Sequence, residues 1–80
     1  KQLYQKKRLE AALMELDQML LNYPTDPKLH EMRGTLLDQL GYGELALKAW
    51  KQSVSFNPKN EPLKNFVSKK EKRLSLGEKK

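Results

Sequence analysis

The sequence predicts an all-α domain of about four helices, and three observations support this prediction. Apolar residues recur at the three- and four-residue intervals of a helix and do not alternate as in strands. Proline, glycine and asparagine interrupt this pattern at three places, which divides the chain into four segments of helical length. With 80 residues, of which 38% are apolar, the chain can form one small core.

The first helix is predicted over residues 2–22, where nothing interrupts the apolar stripe. Pro24 then stops the pattern. Asp26 is placed to cap a second helix, predicted over residues 26–40, by accepting a hydrogen bond from its first turn. Pro27 suits the first helical position, because the N–H group that proline lacks is not needed there.

Two glycines, Gly41 and Gly43, predict a tight turn after the second helix. The third helix is predicted over residues 43–57 and stops before Pro58, and a fourth, over residues 60–75, begins at a capping asparagine. The tight turn makes the second and third helices an antiparallel pair with one apolar seam. The predicted core residues are Leu13, Leu16, Leu36, Leu37, Leu40, Ala46, Trp50, Val54, Leu63 and Val67.

The net charge of +6 is concentrated at the two ends of the chain. Residues 1–8 contain four bases and no acid, and residues 69–80 contain six bases and two acids. Residues 9–68 contain six bases and eight acids. A nucleic-acid-binding face is expected to carry positive charge on the folded body, so this distribution does not favour one.

The chain has few of the side chains that catalysis or metal binding requires. It has no cysteine, which excludes disulfides and thiolate metal sites. Its one histidine, His30, is followed one turn later by Gly34, where a metal-binding helix would carry a second histidine. We interpret His30 as a packing or surface residue, and we expect no catalytic residue, no metal ligand and no cofactor.

The sequence repeats itself with a period of 34 residues, which is typical of helical repeat arrays. Identical residues recur at this interval more often than chance would give, and several pairs occupy matching structural positions. Among them are Leu3/Leu37, Gln5/Gln39, Glu10/Glu44, Ala12/Ala46, Leu13/Leu47, Gln18/Gln52, Pro24/Pro58, Leu29/Leu63 and Leu40/Leu74.

The central unit resembles a tetratricopeptide repeat (TPR), whose 34-residue pattern is W-x₂-L-G-x₂-Y, then A-x₃-F, then P. The residues at these positions, with the spacing kept, are His30, Arg33, Gly34, Leu37, Ala46, Trp50 and Pro58. The preceding unit matches with Ala12, Leu16 and Pro24. The resemblance implies that Gly34 and Ala46 are small where two helices press together. It also implies looser packing at His30 and Arg33, where the family carries an aromatic residue and leucine.

The resemblance implies a TPR-like right-handed superhelix of antiparallel hairpins over residues 1–76. Residues 1–24 would be a partial repeat, 27–60 a full repeat and 61–76 a capping helix with a polar outer side. Residues 77–80 would form a basic, disordered tail. Because the chain begins with lysine and not methionine, we expect a piece of a longer protein, with a helical array continuing upstream.

The resemblance also implies a non-catalytic scaffold that holds a partner segment or subunit in its concave groove. The expected groove residues are Lys28, Glu31, Met32, Thr35, Asp38, Gln39, Asn65 and Lys69. The alternative is that Met32 and Phe66, which continues this surface, belong to the core stripe and that the other residues are merely solvated.

Two other functions remain open from the sequence. The basic C-terminal helix and tail could contact nucleic acid or an anionic membrane, although they lack aromatic side chains for base stacking after Phe66. The N-terminal helix could form a homodimer through an apolar face containing Leu3, Leu9, Leu13 and Leu16. No apolar stretch has the length of about 20 residues that a membrane span needs. A soluble protein is expected; the compartment stays undecided, with a cytoplasmic location favoured.

Overall fold

The computed structural model describes the backbone of residues 2–75 and the side chains of residues 5–73, and this part contains four helices and no strand. The helices are α1 (Gln2–Asn22), α2 (Pro27–Gln39), α3 (Gly43–Phe56) and α4 (Glu61–Ser75). The predicted all-α fold is therefore confirmed, and every helix end lies within one residue of its predicted position. The predicted tail, residues 77–80, lies outside the described residues.

The starts of α2 and α4 are fixed by side-chain caps. Asp26 Oδ1 accepts a hydrogen bond of 3.0 Å from the backbone N–H of Lys28. Asn60 Oδ1 accepts one of 3.3 Å from the backbone N–H of Leu63. Such caps satisfy N–H groups that have no partner inside the helix, and each contributes about 1 kcal/mol. Both residues therefore cap the helices for which the sequence predicts them.

The turn between α2 and α3 depends on Gly41, whose φ angle is 94°. Its N–H donates to the carbonyl oxygen of Asp38 at 3.0 Å, and the N–H of Tyr42 donates to that of Leu37 at 2.9 Å. These two bonds form the Schellman motif, which requires the left-handed conformation that glycine adopts without strain. The chain consequently reverses direction in a few residues, and α3 runs back along α2.

Helices α2 and α3 pack closely because a glycine faces a tryptophan. The Trp50 ring lies so near Gly34 that an added Cβ atom there would be 2.4 Å from the ring. Trp50 Nε1 donates to the carbonyl oxygen of Glu31 at 3.2 Å. One turn further along α3, Ser53 Oγ donates to the carbonyl oxygen of Pro27 at 2.8 Å. The pair is thus held by apolar contact and by two side-chain hydrogen bonds to backbone carbonyls.

The remaining helices add to this pair in chain order, with α1 against α2 and α4 against α3. Six of the predicted core residues are buried, and the other four are partly buried. Leu29, Leu47, Ala49 and Ser53 are also buried but lie outside the predicted core. Three of these four lie on α3, which has neighbours on two sides and therefore buries a wider face than one helical stripe.

The two departures from the TPR pattern connect α2 to the segment before it. His30 Nε2 donates to the carbonyl oxygen of Pro24 at 2.8 Å, and its ring lies 5.3 Å from the ring of Phe56. Arg33 Nε lies 2.8 Å from Asp17 Oδ1 on α1. Both residues are half-buried. Polar contacts therefore fix α1 and its loop where the family pattern would place apolar packing.

We expect the substitution Trp50→Ala to lower the free energy of unfolding by about 3–5 kcal/mol, because the ring is only 4% exposed and fills the space beside Gly34. The total free energy of unfolding of a native domain is about 5–15 kcal/mol, so Trp50→Ala would remove much of the stability. Thermal denaturation followed by circular dichroism measures the effect. Tyr23→Ala, at an aromatic residue that is 62% exposed, is the control. If the two variants melted at the same temperature, Trp50 would not be buried, and the alignment of α2 with α3 described above would be wrong.

The substitution Gly34→Ala should destabilise the protein by about 1–3 kcal/mol, because the new methyl group would collide with the Trp50 ring. This loss would exceed the gain of about 1 kcal/mol that alanine normally brings to a helix interior. Gly43→Ala is the matched control, since no atom lies within 4 Å of a Cβ there. Urea denaturation should rank Gly43→Ala at or above the parent and Gly34→Ala below it. The reverse order would refute the close contact.

Candidate functional site

Helix α2 and helix α1 enclose an open groove of about 540 Å³, which we call the α1–α2 groove. Its α1 wall consists of Ala12, Glu15, Leu16 and Met19. Its α2 wall consists of Lys28, Glu31, Met32, Thr35, Leu36 and Gln39. Of the wall residues, Glu15, Met19, Lys28, Met32, Thr35 and Gln39 are exposed, so neither helix is fully covered on this side.

The α1–α2 groove combines apolar and charged groups. Leu16 is 4% exposed, while Met19 and Met32 are 47% and 46% exposed. Methionine side chains are flexible and polarisable, so they adapt to ligand surfaces of different shapes. The ionisable side chains of the lining are Glu15, Glu31 and Lys28, which give two negative charges and one positive. This composition suits an amphipathic polypeptide better than a small, highly charged ligand.

The other free side of α2 faces α4 across a smaller groove of about 370 Å³, the α2–α4 groove. Its lining residues are Glu31, Thr35, Asp38, Trp50, Asn60, Pro62, Leu63 and Phe66. Phe66 packs edge-on against the Trp50 ring, with the ring centroids 4.8 Å apart. Asp38 Oδ1 lies 3.8 Å from Lys70 Nζ, and this ion pair spans the groove from α2 to α4. Glu31 and Thr35 belong to both grooves.

The eight sequence-predicted site residues separate into three groups in the structure. Five of them line the α1–α2 groove, namely Lys28, Glu31, Met32, Thr35 and Gln39. Asp38 lines the α2–α4 groove. Asn65 and Lys69 are exposed on α4 and line neither groove. The structure thus brings the α2 members together and leaves the two α4 members apart from them.

The α1 wall is absent from the sequence-predicted site, although the 34-residue repeat contains a signal for it. Ala12, Glu15, Leu16 and Met19 correspond, 34 residues earlier, to Ala46, Ala49, Trp50 and Ser53. These four residues of α3 are all buried, whereas of the four on α1 only Leu16 is buried. A glutamate and a methionine thus stand on α1 where α3 carries small residues. This difference between the two repeat units marks the uncovered positions.

The basic end of α4 forms a separate surface depression of about 400 Å³, lined by Phe66, Lys69, Lys70, Lys72 and Arg73. Part of this charge is already neutralised within the fold. Lys70 pairs with Asp38, whereas Glu71, which lies between the lysines in the sequence, is 2.6 Å from Lys51 on α3. Lys70 Nζ also lies 5.9 Å from the centroid of the Phe66 ring. These contacts stabilise the packing of α4 on the body of the domain.

Comparison of the chain with protein-family models, with curated proteins and with solved structures finds no match. None of the described helices is long and apolar enough to cross a membrane. Among the described residues, no group of three or more histidine, aspartate or glutamate side chains is arranged to hold a metal ion.

The exposure of Met32 predicts that it contributes little to folding. Met32→Ala should change the free energy of unfolding by less than about 1 kcal/mol, because nearly half of the side chain is already in water. Leu37→Ala, on the same helix but 3% exposed, should cost about 2–5 kcal/mol. Urea denaturation of the two variants makes the comparison. A loss at Met32 as large as that at Leu37 would assign Met32 to the core stripe and not to a ligand surface.

Proposed function

We propose that the domain is a non-catalytic protein–protein interaction module of the TPR type, which holds a partner segment or subunit on the concave side of a right-handed superhelix. The observation that carries the proposal is the α1–α2 groove, where five sequence-predicted contact residues line one open surface. The antiparallel hairpin of α2 and α3, closed by Gly34 and Trp50, supports the repeat interpretation.

The groove has the properties of a polypeptide-binding surface. Its volume of about 540 Å³ lies within the range of about 300–1,000 Å³ that is usual for ligand sites, but it is open along its length. Its apolar side chains can bury partner residues, and burial of one methionine-sized side chain contributes about 1.5–3 kcal/mol. Lys28, Glu15 and Glu31 can orient the partner through ion pairs.

The alternative function, contact of the C-terminal helix with nucleic acid or an anionic membrane, has less support. Its cations Lys69, Lys70, Lys72 and Arg73 share one end of α4. However, Lys70 has a carboxylate partner in the fold, and Phe66 packs on Trp50. A ring held in this way has less surface for stacking on a base. The two functions differ in their response to salt, because phosphate contacts weaken steeply as salt rises.

The experiment is an affinity capture from cell extract with the domain as bait, run at low and high salt and compared with two methionine variants. Met32→Asp places a charge in the groove and should weaken partner binding about tenfold or more. Met14→Asp is the matched control, because Met14 is 69% exposed on α1 and does not line the groove. Circular dichroism should show that both variants fold.

The proposal expects protein partners that persist at high salt, remain with Met14→Asp and disappear with Met32→Asp. Partners that are indifferent to Met32→Asp would contradict a role for the groove. Recovery of only nucleic acid or lipid, only at low salt and lost on Lys69→Glu with Arg73→Glu, would establish the alternative function instead.

A further inference from the structure

The internal repeat supplies a template for what the α1–α2 groove accepts. On α3, the face formed by Ala46, Ala49, Trp50 and Ser53 is 0–4% exposed, and α2 lies against it. The contacts are those of Trp50 with Gly34 and Glu31 and of Ser53 with Pro27. The covering element is therefore a helix, antiparallel to α3, with its smallest residue over the largest ring.

The equivalent face of α1 is only partly covered by the described residues, with Leu16 buried and its neighbours more exposed. Its members, 34 positions earlier, are Ala12, Glu15, Leu16 and Met19, and all four line the α1–α2 groove. Glu15 is exposed and Met19 is 47% exposed, whereas their α3 counterparts are 3% and 1% exposed. Among the described helices, α1 packs on α2 alone. The groove thus lies where a helix related to α2 by the repeat would lie.

We propose that the α1–α2 groove binds an amphipathic α-helix of a partner protein, placed against α1 as α2 is placed against α3. This inference rests on the proposed function and specifies the conformation and chemistry of the partner. The second wall of the groove, on α2, gives the incoming helix an apolar contact at Met32 and Leu36. The partner helix would therefore be buried on two adjacent sides, as α3 is between α2 and α4.

The size of Leu16 limits the size of the partner side chain that can pack over it. Trp50 strongly favours glycine at position 34, because a Cβ atom would lie 2.4 Å from its ring. Leucine is smaller than tryptophan, so a helix placed on α1 as α2 is placed on α3 would have room for a methyl or hydroxymethyl group over Leu16. Small residues at such contacts let helix backbones approach closely. The partner helix should therefore carry alanine or serine at its point of closest approach to Leu16.

Glu15 defines the charge of the partner. It occupies the position of Ala49, which is 3% exposed on the face of α3 that packs in the core. A helix in the groove would remove water from this carboxylate, and an unpaired carboxylate in such a place is costly. A lysine or arginine on the partner would satisfy it through a charge-assisted hydrogen bond. With Glu31 and Lys28 on the opposite wall, the lining keeps one net negative charge, which favours a basic helix with a cation facing Glu15.

Helix α4 of a second copy fits this groove poorly. It is the repeat equivalent of α2, with Ser68 at the position of Gly34 and Glu71 at that of Leu37. Leu37 is 3% exposed, so Glu71 would have to be buried against α1 and would lose its contact with Lys51. A buried carboxylate without its partner opposes such an assembly. Self-association is accordingly an outcome that the test must be able to detect.

The test uses a fluorescently labelled synthetic peptide with the sequence of residues 27–39 and the substitution Gly34→Ala. The alanine opposes replacement of α2 beside Trp50, whereas the inference expects room for a methyl group over Leu16. A second, basic peptide also carries Glu31→Lys and Asp38→Lys. A third carries Thr35→Pro in the basic peptide, which interrupts the helix and costs about 3 kcal/mol. Binding to the whole domain is measured by fluorescence anisotropy.

We expect the basic peptide to bind about fivefold more tightly than the first one, and this preference to vanish in the Glu15→Gln domain. The Thr35→Pro peptide should bind about a hundredfold more weakly. Met32→Asp in the domain should abolish binding, whereas Met14→Asp should not.

Three results would overturn the inference. Equal binding of the Thr35→Pro peptide would mean that the groove takes an extended segment, which leaves the proposed function intact. Failure of all three peptides, with captured partners still lost on Met32→Asp, would reject the helix but retain the groove. Dimerisation in sedimentation experiments that disappears on Met32→Asp would make a second copy the occupant.

Discussion

The contact between Gly34 and the Trp50 ring is the constraint on which the rest of the structure depends. Because residue 34 has no side chain, α2 approaches α3 closely enough for Trp50 Nε1 to reach the carbonyl oxygen of Glu31. The same ring receives the edge of Phe66 from α4. The missing side chain at Gly34 thus sets the distance between α2 and α3, and the Trp50 ring provides the surface on which α4 packs.

Most of the fold could be predicted from local signals in the sequence. Asp26 and Asn60 form the expected caps, and Gly41 forms the expected turn, because each acts on groups only a few residues away. The wider burial of α3 was not predictable from one apolar stripe. Ser53 is only 1% exposed. Its hydroxyl group can be buried because it donates a hydrogen bond to the carbonyl oxygen of Pro27, which lies 26 residues earlier in the chain. Only the packed structure shows that a polar residue belongs there.

The α2 wall of the candidate site could be predicted from the sequence. The α1 wall could not be predicted from helical periodicity. Lys28, Met32 and Gln39 line one groove, and the resemblance to a TPR implies that these residues of α2 face a ligand. The opposite wall depends on how α1 crosses α2, and the contact of Asp17 with Arg33 is one of the interactions between these helices. That ion pair joins residues on different helices, so helical periodicity alone does not predict it.

The exposed sides of α1 and α4, the first and last of the described helices, differ in polarity. The exposed side of α4 carries Lys64, Ser68 and Glu71, and Glu71 is paired with α3. This polar surface suits contact with water. The exposed side of α1 carries Glu15 and Met19 beside the α1–α2 groove. A further helix can therefore pack on the α1 end at a lower cost of desolvation than on the α4 end.

The central claim is that the α1–α2 groove is the surface at which this domain meets its partner. Its most direct test is a titration of the ¹⁵N-labelled domain with the basic peptide, followed by amide chemical shifts. The account predicts the largest changes at Ala12, Glu15, Met19 and Met32, with little change at Asn65 and Lys69. Changes confined to Phe66 and the lysines of α4 would contradict it and place the interaction at the opposite end of the molecule.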